Sequence, residues 1–158
     1  MTLPRLRTWS RPLRLLTLAF VVVVALGYAV GLAFIVHNTA VSPSGIVDHY
    51  RGNEDRMKFG KSTGEMLEIV HNHLLGMGML FFAVGLLYIA ADTPPPWKTL
   101  IPVETLLTLL STFGGLWLIR EGLAWANWLV FPSSFLMLAG YIAMCTTVIW
   151  NCLTPSSN

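Results

Sequence analysis

The chain has 158 residues, enough for one domain, and 54% of them are hydrophobic while only 11% are charged, where a soluble domain carries about a quarter charged residues. A mean hydropathy of +0.63 excludes an ordinary soluble globule. A formal charge of only +2 gives no electrostatic case for a nucleic-acid partner.

Met1 to Arg14 carries Arg5, Arg7, Arg11 and Arg14 with no acid, and an apolar run follows. That run outlasts a signal-peptide core, and no Ala-x-Ala-like site follows it. It predicts an uncleaved first span over about 15–36, with the N-terminus cytoplasmic by the positive-inside rule. Gly27 and Gly31 form a Gly-x-x-x-Gly pair that permits close helix approach.

His37 to Gly64 is then a loop, residues 37–64, far longer than the roughly 2–8 residues usual between bundle helices. Ser42-Pro43-Ser44-Gly45 signals a turn. Tyr50 and Phe59 among mixed charges argue that the loop is folded or docked. Ser62 with Glu65 three residues on is a capping box, opening a second span over about 65–90. Asp92 and Pro94-Pro95-Pro96 break it, and Trp97 and Lys98 read as an interfacial anchor.

The third span covers about 99–119. Pro102 and Glu104 are expected in its first turn, where proline is tolerated and an acid favours the helix dipole while snorkelling to the surface. An intramembrane acid is otherwise a functional candidate. Trp117, Trp125, Trp128 and Phe131 form an aromatic belt. Pro132-Ser133-Ser134 starts or kinks the fourth span, about 132–152, and the polar tail Thr154–Asn158 returns to the side of the N-terminus. Cys145 and Cys152 are two helical turns apart, packing thiols with no disulfide or Cys-x-x-Cys signature. Without Cys-x-x-Cys-His, covalent c-type haem is not expected.

The expected fold is therefore an all-α integral membrane protein: a four-helix antiparallel transmembrane bundle, one domain over 1–158, with a long extracytoplasmic loop between helices 1 and 2. The expected location is the bacterial inner membrane, with both termini cytoplasmic.

This topology puts His37, His49, His71 and His73 on one side, the periplasmic one. Residues two apart on a helix point about 200° apart, so His71 and His73 cannot both face the bundle. Glu68, His71, Leu75 and Gly78 share one face, while Ile69, His73, Gly76, Met77 and Leu80 share the other. Glu68 and His71 make a single Glu-x-x-His unit, where a di-iron bundle needs two and further carboxylates. Two chemistries follow. One is a single haem b between two of the four imidazoles, seated against Gly76, Gly78 and Gly114-Gly115, with Arg51, Arg56, Lys58 or Lys61 pairing its propionates. The other is copper or zinc held by three of His37, His49, His71 and His73, with Met77 or Met79, or with Glu68. Against both stands the plain reading of interfacial histidines that anchor without binding anything.

In architecture alone the chain resembles the small four-helix membrane cytochromes. It departs from them in having no histidine in helices three and four, so a second haem on the cytoplasmic side would lack ligands. The functional expectation is a membrane subunit of a respiratory or photosynthetic-type electron-transfer complex, surrounded by lipid bilayer, contacting other membrane subunits and a periplasmic cytochrome. The alternative is a cofactor-free accessory or assembly subunit whose loop and aromatic belt stabilise a partner complex. No hydrolase, metalloprotease or phosphate-loop signature is present, and a catalytic activity of its own is not expected.

Overall fold

A computed structural model describes residues 4–154, so Met1–Leu3 and the 155–158 part of the polar tail lie outside the described residues. Four long helices, α1 (Arg11–Thr39), α3 (Thr63–Ala90), α4 (Pro95–Arg120) and α5 (Asn127–Leu153), alternate in direction, and α2 (Pro43–Tyr50) is a short helix within the first loop. All four long helices are long and apolar enough to cross a membrane. There is no β-strand among the described residues, only an isolated antiparallel bridge between Asn53 and Lys58. Two ends of the bundle result. One, the terminal face, holds both chain ends and the α3–α4 turn. The other, the loop face, holds residues 40–62 and the α4–α5 turn.

Local chemistry sets the helix limits. At the start of α3 the Ser62 hydroxyl accepts from the Glu65 amide and the Glu65 carboxylate accepts from the Ser62 amide, the reciprocal capping box read from the sequence. The proline triplet acts at once as stop and start: Pro94 is the N-cap of α4 and Pro95 and Pro96 fill its first positions, where the missing N–H costs nothing. The Lys98 ammonium reaches back 2.9 Å to the Ile89 carbonyl at the end of α3. α4 ends in a Schellman motif, with Leu123 N–H bonded to the Leu118 carbonyl and Gly122 N–H to that of Ile119. Gly122 sits at φ +96°, the left-handed conformation this cap requires.

Two expectations about α4 are corrected by this start. Pro102 and Glu104 are not in a first turn, because the helix already begins at Pro95; Pro102 is a buried interior proline. α5 likewise begins before Pro132, at Asn127 after a 3-10 turn over Ala124–Ala126. The interior proline is accommodated where Ser133 and Ser134 donate back to the carbonyls of Leu129 and Val130, at 2.7 and 2.6 Å.

The tightest pairings are α4 with α5 and α3 with α4, while α1 lies mainly along α5 and against α2. The Tyr28 ring of α1 lies tilted against Tyr141 at 4.5 Å and meets Phe81 of α3 at 6.2 Å, making an aromatic knot at mid-depth. Thr112 and Ser133 share a buried hydroxyl contact of 2.8 Å across the α4–α5 interface. Only Thr17, Val21 and Thr39 of α1 are buried, so most of its circumference faces outward.

At the terminal face the basic N-terminal segment is folded back as a clasp. Leu6 is wholly buried. The buried Asn151 carboxamide accepts from Arg7 Nε at 3.1 Å and from the Asp92 amide at 3.0 Å, and donates to the Thr147 carbonyl. Arg7 and Arg5 also pair with Asp92, and Arg14 donates to the Cys152 carbonyl. The arginines that read as a topology signal thus also tie α1 to the α3–α4 turn and the end of α5.

Candidate functional site

The loop face is the most elaborated part of the molecule. α2 is capped by Ser42, whose hydroxyl accepts from the Gly45 amide. Ala40 and Val41 before it both adopt positive φ, 49° and 48°, which turns the chain sharply from α1 into α2. Asp48 is 6% exposed, and both carboxylate oxygens are engaged: Asn53 Nδ2 donates at 2.7 Å and Arg56 Nη1 at 2.9 Å. A buried carboxylate held by two donors offsets its desolvation and fixes the turn over residues 53–58. The Arg51 guanidinium lies over Gly122, 3.7 Å from where a Cβ would stand. Arg120 of α4 donates to the Lys61 carbonyl at 3.0 Å and to the Thr63 hydroxyl at 3.1 Å. The loop is therefore fastened to α4 at two arginines. At its tip Met57, at φ +50°, is 89% exposed and Phe59 is 94% exposed.

The four histidines share this end of the molecule but are dispersed within it. His37 and His71 are exposed. His37 is two residues from the end of α1, whereas His71 lies about 12 Å along α3 from its first residue. His73 faces α4: its ring stacks on Phe113 with centroids 4.4 Å apart, and its Nδ1 is 2.7 Å from the Ile69 carbonyl. His49 lies edge-on to Tyr50 at 4.9 Å. Of the two faces of α3 distinguished in the sequence, that of Ile69, His73 and Met77 turns inward, and Glu68, His71 and Leu75 are exposed. No group of three His, Cys, Asp or Glu side chains placed to hold a metal ion occurs among the described residues. Nor do the glycines line one gap. Gly76 and Gly114 open outward with nothing near them, Gly115 is filled by Val130, and Gly78 meets Leu109. Cys145 and Cys152 are buried free thiols.

Glu104 is the acid expected to snorkel from a first turn. It sits in the third turn instead. Its Oε2 is held beside Gly140 of α5, 3.0 Å from where a Cβ would be, and its Oε1 is buried without a hydrogen-bond partner. Thr99, Glu104, Thr108 and Ser111 are the polar residues of an otherwise apolar groove of about 420 Å³ along α4.

Sequence reading passed over two features of the loop face. One is the Asp48–Asn53–Arg56 lock, whose signal was an acid followed at five and eight residues by two donors. The other is a notch of about 230 Å³ lined by Asn38, Asp48, His49, Lys58, Phe59 and Lys61. Burial and the neighbouring Lys61 and Lys58 ammonium groups lower the His49 pKa from its ordinary value, and Glu65 opposes them weakly. Burial pushes the Tyr50 phenol up to about 12.

Fold and loop together define a multi-pass helical membrane protein with a folded loop fastened over one end of its bundle. The chain belongs to the Aq_1264_TM family, a transmembrane helical domain, which it matches over residues 40–158. The matched region takes in the loop and α3 to α5, the tightly packed part of the bundle, and stops short of α1. No curated protein and no solved structure matches the chain.

Proposed function

We propose that this chain is an accessory subunit of a larger membrane assembly and that its loop face docks a partner subunit. The tip of the loop carries the reading. Asp48, Arg51 and Arg120 hold the loop in place, yet it presents Met57 and Phe59 almost fully exposed. The left-handed backbone of Met57 caps the 54–56 turn and closes the Asn53–Lys58 pairing, while its side chain gains no packing within the chain. Apolar side chains displayed on a fastened turn fit a contact made with something outside the chain. Trp125 and Trp128, 58% and 87% exposed beside the α4–α5 turn, extend the apolar surface at that end. With Arg5, Arg7, Arg11 and Arg14 on the terminal face, the positive-inside rule puts the loop on the extracytoplasmic side of a bacterial inner membrane.

The histidines support this reading over an electron-transfer role. His73 is occupied with Phe113 and Ile69, and α1, which carries His37, packs chiefly on α5 and not along α3. A haem b between them would need ligands that the chain holds apart or a partner that supplies one.

Mild-detergent extraction of native membranes, followed by native gel electrophoresis and crosslinking from position 59, tests the proposal. The wild-type chain is expected in a band well above 17.5 kDa, with crosslinks to another membrane subunit. Met57→Gly with Phe59→Ser should release it without lowering its thermal stability. A chain that migrates alone in both forms would sink the docking role. A reduced-minus-oxidised visible spectrum of the same sample distinguishes the redox reading, since an α-band lost in His71→Ala or His73→Ala would assign haem b.

A further inference from the structure

We infer that the notch beside the loop is a binding site for a phosphate-type anion, the headgroup phosphate of an anionic lipid or free phosphate, held by Lys58, Lys61 and His49. This goes beyond the docking role: the two surfaces share Phe59, whereas Met57, the other displayed side chain, does not line the notch.

The charge arrangement is the first argument. The Lys58 backbone pairs with Asn53, but its ammonium group has no hydrogen-bond or ion-pair partner among the described residues, although it borders a notch that contains a carboxylate. That carboxylate, Asp48, is unavailable to it, because Asn53 and Arg56 take its two oxygens. Lys61 reaches Glu65 at 3.1 Å, but Glu65 also accepts from the Ser62 amide and hydroxyl, so its charge is shared with the helix cap. What remains in the notch is two ammonium groups and an imidazole whose protonation they oppose. An incoming dianion or diester relieves this repulsion and meets three donors, with the Asn38 side chain a fourth polar group on the wall.

Position and shape are the second. Asn38 is the next-to-last residue of α1 and Lys61 immediately precedes the α3 cap. The notch therefore opens where two membrane-crossing helices end, at the depth where lipid phosphates lie. Phe59 walls one side with an apolar ring, suited to a glycerol backbone, and the exposed Phe34 and Ile35 of α1, four and three residues before Asn38 and so on its face of the helix, continue downward as a surface for an acyl chain. About 230 Å³ is room for a phosphate with its first substituent.

The test uses the full-length chain in detergent with its histidine imidazoles isotopically labelled, the His49 resonance being assigned as the one missing from His49→Gln. Inorganic phosphate, dihexanoyl-phosphatidylglycerol and dihexanoyl-phosphatidylcholine are titrated in turn. A saturable His49 shift with both phosphate and phosphatidylglycerol supports the site and makes the anion sufficient. A shift with phosphatidylglycerol alone supports it and identifies the source as lipid. Lys58→Gln keeps the backbone pairing with Asn53 and alters only an exposed side chain; it is expected to weaken binding about five-fold, the effect of one basic residue near an anionic surface. No saturable shift with either anion overturns the proposal. So does an unchanged midpoint in the Lys58→Gln, Lys61→Gln double variant, or equal saturation by phosphatidylcholine.

Discussion

His71 and His73 show how far two neighbouring identical residues can part. His73 stacks on Phe113 and contacts the Ile69 carbonyl, while His71 faces outward. His73→Ala is expected to cost about 1–3 kcal/mol through the lost aromatic contact and burial, and His71→Ala to stay within about 0.5 kcal/mol. Thermal unfolding of the two variants in one detergent makes the comparison. His49 titrates among Lys58, Lys61, Glu65 and Asp48, and its folded pKa is lowered. The unfolded chain therefore takes up the proton first on acidification. The stability linked to this group is present in full above about pH 6.5 and is lost as pH falls through the lower folded value. Melting temperature should accordingly fall on the acid side, with a smaller drop in His49→Gln. At mid-membrane, Gly140 leaves room for the Thr105 hydroxyl and the Glu104 carboxyl. Gly140→Ala should destabilise by about 1–3 kcal/mol by overpacking, and Thr105→Ala, which removes the hydroxyl nearest the new methyl group, should recover part of that loss in the double variant. Additive losses in the double variant would argue against the contact.

Among the elements, α4 is the one to which the others are referred. It carries Arg120 and the Gly122 cap that receive the loop, Phe113 that receives His73, and the Thr112 hydroxyl that meets Ser133 of α5. Arg120→Ala removes the hydrogen bonds to the Lys61 carbonyl and the Thr63 hydroxyl. It should raise amide exchange across residues 43–62 while leaving α4 and α5 protected, because loop fastening and bundle packing are separate. Uniform loss of protection would show that the loop is integral to the bundle. At the other end, Asn151→Ala strips the acceptor from the Asp92 amide and Arg7. A cost of about 1–3 kcal/mol is expected from the groups left unsatisfied, together with faster proteolysis before Arg11. The exposed Arg5–Asp92 pair, in contrast, adds little.

For the molecule as a whole, the sparsely packed α1 is the least determined part by internal contacts, and the N-terminal clasp and the Tyr28 knot are what hold it. A bundle whose interior pairs α3, α4 and α5 and carries α1 on its flank leaves a broad outward surface for lipid. The capped, double-anchored loop concentrates the chain's exposed, chemically distinctive groups at one end.

Much of this was legible in order of residues alone. Four apolar runs of bilayer length, the Ser62–Glu65 box and the proline triplet mark the spans and their ends, because backbone satisfaction in a membrane admits few alternatives. Which face of α3 turns inward, how deep Glu104 lies, and whether four histidines on one side meet were decided only by tertiary packing. The reason is that lipid is as apolar as a protein core, so hydropathy does not by itself tell the buried face of a spanning helix from its outer one. Ile69, His73 and Met77 became the inner face because Phe113 and its neighbours on α4 received them, a fact of shape that hydropathy does not record.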